Sequence, residues 1–279
     1  HPWVQTCEDW DEWDKPGPPF KIFGNTWYVG TCGIASILIT TDDGHALIDS
    51  GTEAGADVVL ANIRSLGFDP KDIKLLLGSH EHFDHLGGLA KIQQATGAMF
   101  VSSAIAVDTM ITGEAHPDDP QFGLHEPMAT ITAGIPYDWG DASYRLDYFG
   151  ISPIPTPGHT PGAMSWSWEV CEGEECRTIV YADSLSAVSA DDYRFLDHRD
   201  YLDQFVKSLE RLAGSKCDVV ITPHPSGSVM RNRLLSGSLA APWDFNCEGY
   251  MRQQRGSLFI RLSKEDPEWM AKNLIRYPR

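Results

Sequence analysis

The stretch Ser79-His80-Glu81-His82-Phe83-Asp84-His85-Leu86-Gly87-Gly88 sets His80, His82, Asp84 and His85, four metal-binding side chains within six residues, directly after the apolar run Ile73–Leu77. Clustered imidazoles and carboxylates of this kind suit zinc. If the run is a buried strand, extended backbone at its end turns His80 and His82 to one side, because side chains repeat every second residue. They can then hold one ion together. Asp84 and His85 stand at the start of the following turn or helix, where a carboxylate also accepts free amide N–H groups. Their side chains point elsewhere, so a second ion is expected. The helical zinc-protease motif requires a second histidine four residues after the first, and that position is Asp84, which excludes it. Gly87 and Gly88 allow a close backbone approach that a side chain would obstruct.

Three later segments end an apolar run in polar residues: Pro157-Gly158-His159-Thr160, Ala182-Asp183-Ser184-Leu185-Ser186 and Thr222-Pro223-His224-Pro225. Sites are built where strands end. His159, in a stiff turn of prolines and glycines, completes a three-histidine group with His80 and His82. His224 joins Asp84 and His85. His116 and His125 fall in the polar, aperiodic segment 113–128, where solvent-facing histidines are expected, and such a segment forms either a lid, a pocket wall or a plain surface connection.

The elements that must position these groups follow from periodicity. Residues 1–20 lack it and read as a surface arm tied down by Cys7. Strands are expected over 27–30, 33–40 and 45–49, with Asp43-Gly44 as a hairpin signal. Val59, Ile63 and Leu66 recur at helical spacing before Gly67, and the strand into the metal motif comes next. A helical stretch to about residue 96, a strand over 98–102 and a helix from Ala104 complete the first half. The second half reads as strand-like runs over 143–148, 163–170 and 177–182, then a helix with Leu202, Phe205, Val206, Leu209 and Leu212 on one face, then a buried strand over 218–221. Strands followed by helix and strand, twice over, predict an α+β chain folded as an αββα sandwich, two facing mixed sheets with helices on both outer faces. We read it as a single domain over 1–279, its halves spanning about 20–140 and 141–264, with a tail over 265–279.

The whole chain limits what the site can serve. A 279-residue chain with 42% hydrophobic residues can bury a large single core. No apolar run approaches the roughly 20 residues of a membrane span. A net charge of −17 argues against nucleic acid and anionic membrane as partners. Bound zinc would reverse the local sign and admit an anionic small molecule. The chain starts at His1 without a Met or an apolar leader, so a signal peptide is expected to have been removed. Six cysteines without thiolate-zinc spacing favour disulfides, hence an oxidising compartment, periplasmic or secreted. Many connectivities exist. Pairing neighbours in sequence is the simplest: Cys7 with Cys32, Cys171 with Cys176, Cys217 with Cys247.

From about Trp27 to the helix after Cys247 the chain resembles the metallo-β-lactamase superfamily, whose hallmark matches the residues from Ser79 to His85. It is most similar to the third subclass of the true metallo-β-lactamases, on the strength of Tyr181-Ala182-Asp183-Ser184-Leu185-Ser186-Ala187 and Thr222-Pro223-His224-Pro225. The resemblance implies two zinc ions per chain, the first on His80, His82 and His159, the second on Asp84, His85 and His224. It also implies a monomeric enzyme of antibiotic resistance that opens small-molecule β-lactams, with Asp84 orienting the attacking water, Ser184 near the second zinc and Ser186 binding the substrate carboxylate. Two alternatives stand beside it. One is a lactone or thioester hydrolase of the same superfamily with Asp183 bridging the metals, the other a noncatalytic extracellular binding protein stabilised by zinc in closed coordination.

Overall fold

Alternation of buried residues divides the chain's apolar side chains into three layers, and a computed structural model describing residues 1–239 and 245–273 shows what each layer separates. The first sheet runs in sequence order through β1 (Phe20–Phe23), β2 (Thr26–Tyr28), β3 (Ile37–Thr41), β4 (Gly44–Ile48), β5 (Ile73–Leu77), β6 (Met99–Ser102) and β7 (Gly134–Pro136). The second has the order β11-β10-β9-β8, from β8 (Ile151–Pro155), β9 (Met164–Glu172), β10 (Glu175–Tyr181) and β11 (Val219–Ile221). Hairpins join β1 to β4 antiparallel, whereas β4 to β7 pair in parallel. Parallel pairing needs crossovers, and α2 (Gly55–Ser65), the pair α3 (Phe83–Leu86) and α4 (Leu89–Thr96), and α5 (Ala104–Thr112) supply them. The remaining helices are α1 (Pro2–Thr6), α6 (Gly140–Phe149), α7 (Arg199–Ala213), α8 (Met230–Leu235), α9 (Cys247–Glu265) and α10 (Pro267–Asn273).

Ile37, Ile39, Ala46, Ile48, Leu75 and Leu77 of the first sheet meet Trp166, Trp168, Ile179, Tyr181 and Ile221 of the second in one central layer. The intervening Leu38, Leu47 and Leu76 face α2, α4 and α5. Val180 and Val220 face Leu202, Phe205 and Leu209 of α7 and Leu258 of α9. This is the expected αββα sandwich. Each sheet is apolar on both faces, so the ends of its strands are left for polar chemistry.

Two expectations are corrected, and one strand was not foreseen. The run over 143–148 is not a strand but part of α6. Tyr144 and Tyr148 alternate with polar residues, yet both are exposed, and Ala142 and Leu146 are the pair buried at helical spacing. Residues 1–20 are more than a surface arm, because Trp3 in α1 is buried against Tyr28. β8 had no sequence signal, since Pro153 and Pro155 read as breakers. It lies at the edge of its sheet, where a missing N–H is tolerated. The disulfides Cys7–Cys32, Cys171–Cys176 and Cys217–Cys247 pair as expected, leaving no free cysteine. In the tail, α10 ends at Asn273, and residues 274–279 lie outside the described ones. Among the described residues no helix is long and apolar enough to cross a membrane.

Candidate metal centre

β5 ends at Leu77, and the chain then bends through Ser79, Glu81 and His82, the last with extended dihedrals just before the first turn of α3. Gly88 lets that turn pack down, because a Cβ there would lie 2.7 Å from the Thr52 carbonyl oxygen and 2.8 Å from that of Ser50. The second sheet meets this segment directly: Met164 donates its N–H to the Ser79 carbonyl at 2.6 Å, and the Trp166 indole donates to Gly78 at 3.0 Å. Glu81 completes the junction. It accepts the Thr160 hydroxyl and the Gly162 N–H, both at 2.7 Å, and so fixes the turn that carries His159. Any side chain at position 162 would begin 2.6 Å from a Glu81 carboxylate oxygen. Burial pushes the Glu81 carboxyl up to about 7, against the Thr160 hydrogen bond.

The histidines that this junction brings together form a tight group. His80, His82 and His159 present nitrogen atoms within 4.8 Å of one another, and all three are buried. Each ring is oriented from behind, as metal-bound imidazoles are. His80 Nδ1–H donates to Asp183 Oδ1 at 2.7 Å, His82 Nε2–H to Asp119 Oδ2 at 2.9 Å, and His159 Nδ1–H to the Ser186 carbonyl at 2.9 Å. The free nitrogens are therefore Nε2 of His80, Nδ1 of His82 and Nε2 of His159. Burial, reinforced by neighbouring imidazoles, pushes His80 well below the usual imidazole range and His159 down to about 3, so both are neutral. On His82 burial opposes the charged form, but the Asp119 carboxylate outweighs it and raises the ring.

Beside this group, one Asp84 carboxylate oxygen lies 3.0 Å from His85 Nε2 and 3.3 Å from His224 Nε2. Burial disfavours its charge, yet the imidazoles of His85 and His224 hold its carboxyl well below the usual range. His80, Asp84 and His85 also present ligand atoms within 4.8 Å of one another, so the two sets adjoin. Nε2 of His80 and both nitrogens of His85 are buried without a hydrogen bond. An unsatisfied buried polar atom is costly, and a cluster of them on buried imidazoles facing a carboxylate fits a metal ion. The sequence-predicted ligands thus converge, with His224 at 24% side-chain exposure the most open of them.

Behind His85 stands Asp49, at the end of β4 with φ of 61°. It accepts the Ser79 N–H and hydroxyl, each at 2.7 Å, and the hydroxyl of Tyr181 from the second sheet at 2.8 Å. Burial pushes its carboxyl up to about 6, with His85 opposing the shift. Asp183 does not bridge the two sets. It stands behind His80, and its other oxygen lies 3.4 Å from the Leu185 N–H.

A cavity of about 370 Å³ opens onto His82, Asp84, His159 and His224. Its walls include Trp10 and Trp13 of the N-terminal arm, whose rings lie 6.3 and 6.0 Å from that of His224. The arm is held by Cys7–Cys32 and by the Trp10 N–H, which donates to Ser226 Oγ at 2.7 Å. Ser184 and Ser186 line the same cavity. Ser184 Oγ is buried without a partner, and Ser186 Oγ lies 3.1 Å from His159 Nδ1. His125 lines the rim, 4.6 Å from the Phe83 ring, while His116 Nδ1 accepts the Asp118 N–H at 3.2 Å; neither joins the ligand groups. Asp49, Asp119, Glu81 and the two tryptophans had no functional signal in the sequence, because each acts through a partner far along the chain.

A family model described as the metallo-beta-lactamase superfamily matches residues 29–224. The chain belongs to that superfamily. Among solved members it is similar to the MIM-2 metallo-beta-lactamase, with a TM-score of 0.84 and 47% identity, covering 94% of this chain and 97% of that one. It is similar also to the subclass B3 metallo-beta-lactamase MEM-A1, from a soil metagenome library, with a TM-score of 0.83 and 32% identity over 92% of this chain and 100% of that one. Among curated relatives, the N-acyl homoserine lactonase AttM of Rhizobium radiobacter is 30% identical over 155 residues, 46% of this chain and 56% of that protein. The chain thus spans about half the length of that lactonase, but nearly the whole of the two metallo-beta-lactamases.

Proposed function

We propose that this protein is a dizinc β-lactamase of the third subclass, a monomer that opens the lactam ring of penicillins, cephalosporins and carbapenems. The observation that carries the reading is the placement of Asp183: its carboxylate is committed to His80 Nδ1 and is not available as a bridge between metals, which the lactonase alternative requires. The likeness to metallo-beta-lactamases along nearly the full chain supports the same choice. His80, His82 and His159 would hold one ion, and Asp84, His85 and His224 the other. When bound, such a pair supplies a nucleophile from water near neutral pH and a positive field for charge developing on the carbonyl oxygen and the departing nitrogen.

The chain's own residues do the rest. Asp84, ionised between two imidazoles, is an acceptor that orients the attacking water. Trp10, Trp13 and Phe83 give the cavity apolar walls, and its volume suits a drug-sized ligand. No lysine or arginine lines the cavity among the described residues, so recognition of the substrate carboxylate falls to hydroxyls. Ser186 Oγ can accept from His159 Nδ1 while its own proton remains to be donated to that carboxylate. Ser184 Oγ, unpartnered, offers a second donor. The open cavity argues against the closed coordination of a purely structural zinc site. Three disulfides support placement in the periplasm or outside the cell.

A panel of a penicillin, a carbapenem, a lactone and a thioester, with and without chelator, tests the reading. Hydrolysis of the lactams, abolished by chelator and restored by zinc, is the expected result. Activity on the lactone or thioester alone overturns it.

A further inference from the structure

The segment 113–128 is built as a closed loop with an anchor in its middle. Its ends are pinned where Met128 donates its N–H to the Gly113 carbonyl at 2.9 Å. Gly113 is left-handed, with φ of 80°, and a Cβ there would lie 2.6 Å from the Met128 carbonyl oxygen. The tip, by contrast, exposes Phe122 and Leu124 by about half. Between them Asp119 is only 3% exposed. One of its carboxylate oxygens accepts His82 Nε2–H at 2.9 Å, and the other accepts the Gln121 N–H at 2.7 Å. Its backbone N–H donates to the His116 carbonyl at 2.9 Å, and the next residue, Pro120, accepts the Ala190 N–H at 2.8 Å. One side chain therefore bonds a loop turn through one oxygen and a metal-type histidine through the other.

We propose that Asp119 is a positioning residue that couples loop 113–128 to the first metal group: the folded loop sets the orientation of His82, and a metal ion held by His82 orders the loop. The cavity rim moves with this coupling, since Gln121 and His125 of the loop line it. The inference rests on His80, His82 and His159 holding zinc, but not on which substrate is cleaved. An imidazole presents Nδ1 to an ion only when its ring plane and tautomer are right, and the acceptor on Nε2 fixes both.

Zinc affinity, measured by competition with a chromophoric chelator, and chymotryptic cleavage after Phe122 and Leu124 test the coupling in the full chain. Asp119→Ala is expected to weaken the first-bound ion by about 10- to 100-fold, the usual range for loss of an outer partner of a ligating histidine. Asp119→Asn keeps the volume and an acceptor, so its loss should be smaller. Saturating zinc should slow cleavage of the wild-type loop and leave that of Asp119→Ala unchanged. In the cobalt-substituted protein the ligand-field bands should shift for Asp119→Ala and not for Asp118→Ala, whose side chain is 77% exposed. Wild-type zinc affinity and wild-type loop protection in both Asp119 variants overturn this inference alone. A wild type that binds no zinc overturns the parent reading and this one with it.

Discussion

His80, His82 and His159 each have the outward nitrogen held by an acceptor, two of them by buried carboxylates, whereas His224 leans on the rings of Trp10 and Trp13 with a quarter of its side chain exposed. The first group is assembled from the rigid junction of the two sheets. The second shares Asp84 and His85 with that junction but takes its last member from a turn after β11, packed against the aromatic rings of Trp10 and Trp13. A ring held from behind arrives at a metal already oriented, while a ring held only by packing must be ordered by the metal itself. The first group should therefore bind first and release last.

Removing one ligand from each group gives the sharpest contrast. Shared over four ligands, the upper figure of about 16 kcal/mol for a structural zinc site leaves about 4 kcal/mol each, roughly a thousandfold in affinity. His159→Ala should lose that much at the first ion while the second is retained, and His224→Ala should do the reverse. Metal counting after gel filtration, with one ion expected in each variant, checks it. Loss of both ions from His224→Ala would show that the groups are one unit and end the comparison.

The next largest effect concerns the support of the more open group. Cys217–Cys247 ties the start of β11, which leads to His224, to α9, whose Tyr250 hydroxyl donates to the carbonyls of Asp183 and Ser184 at 3.0 and 2.5 Å. Its sequence separation of 30, against 5 for Cys171–Cys176, predicts about 3.6 kcal/mol of stabilisation against about 2 kcal/mol by loop-closure entropy. Serine pairs at each bridge, compared by urea denaturation, measure the difference. An equal loss from both would mean that neither bridge acts through the unfolded chain. In the Cys217 and Cys247 variant the second ion should dissociate at lower chelator concentration than the first.

Ser186→Ala should have the smallest effect. A charge-assisted hydrogen bond to a substrate carboxylate is worth about 1.5 to 3 kcal/mol, so KM should rise about tenfold or more with kcat little changed. The Ser186 carbonyl that orients His159 survives the substitution, so metal content should hold. An unchanged KM would remove Ser186 from substrate recognition and leave it as part of the His159 support.

The ligand groups were legible because four metal-binding side chains, three histidines and an aspartate, stand together in sequence and the others end apolar runs. The rings' supports were not. Asp119 lies in a loop without periodicity, and its partner His82 is 37 residues earlier. Glu81 sits inside the motif, yet its role depends on Thr160 and Gly162, about eighty residues away. The sandwich was readable from strands followed by helix and strand in each half of the chain. Over 143–148 alternation misled, because Tyr144 and Tyr148 are exposed on a helix whose buried face is small.

Asp49 has a bearing on how this chain could be recombined with its relatives. Its carboxylate, on the first sheet, takes one of its hydrogen bonds from the second, through Tyr181. A chimera that joined residues 1–150 to the second half of another member would inherit a matched seam only if that half brought a hydroxyl to the place of Tyr181. A phenylalanine there would leave a buried acceptor short of a partner, at a cost of about 1 to 3 kcal/mol. Crossover points drawn between the sheets are thus not neutral, and successful hybrids should carry Asp49 and Tyr181 as a pair from one parent.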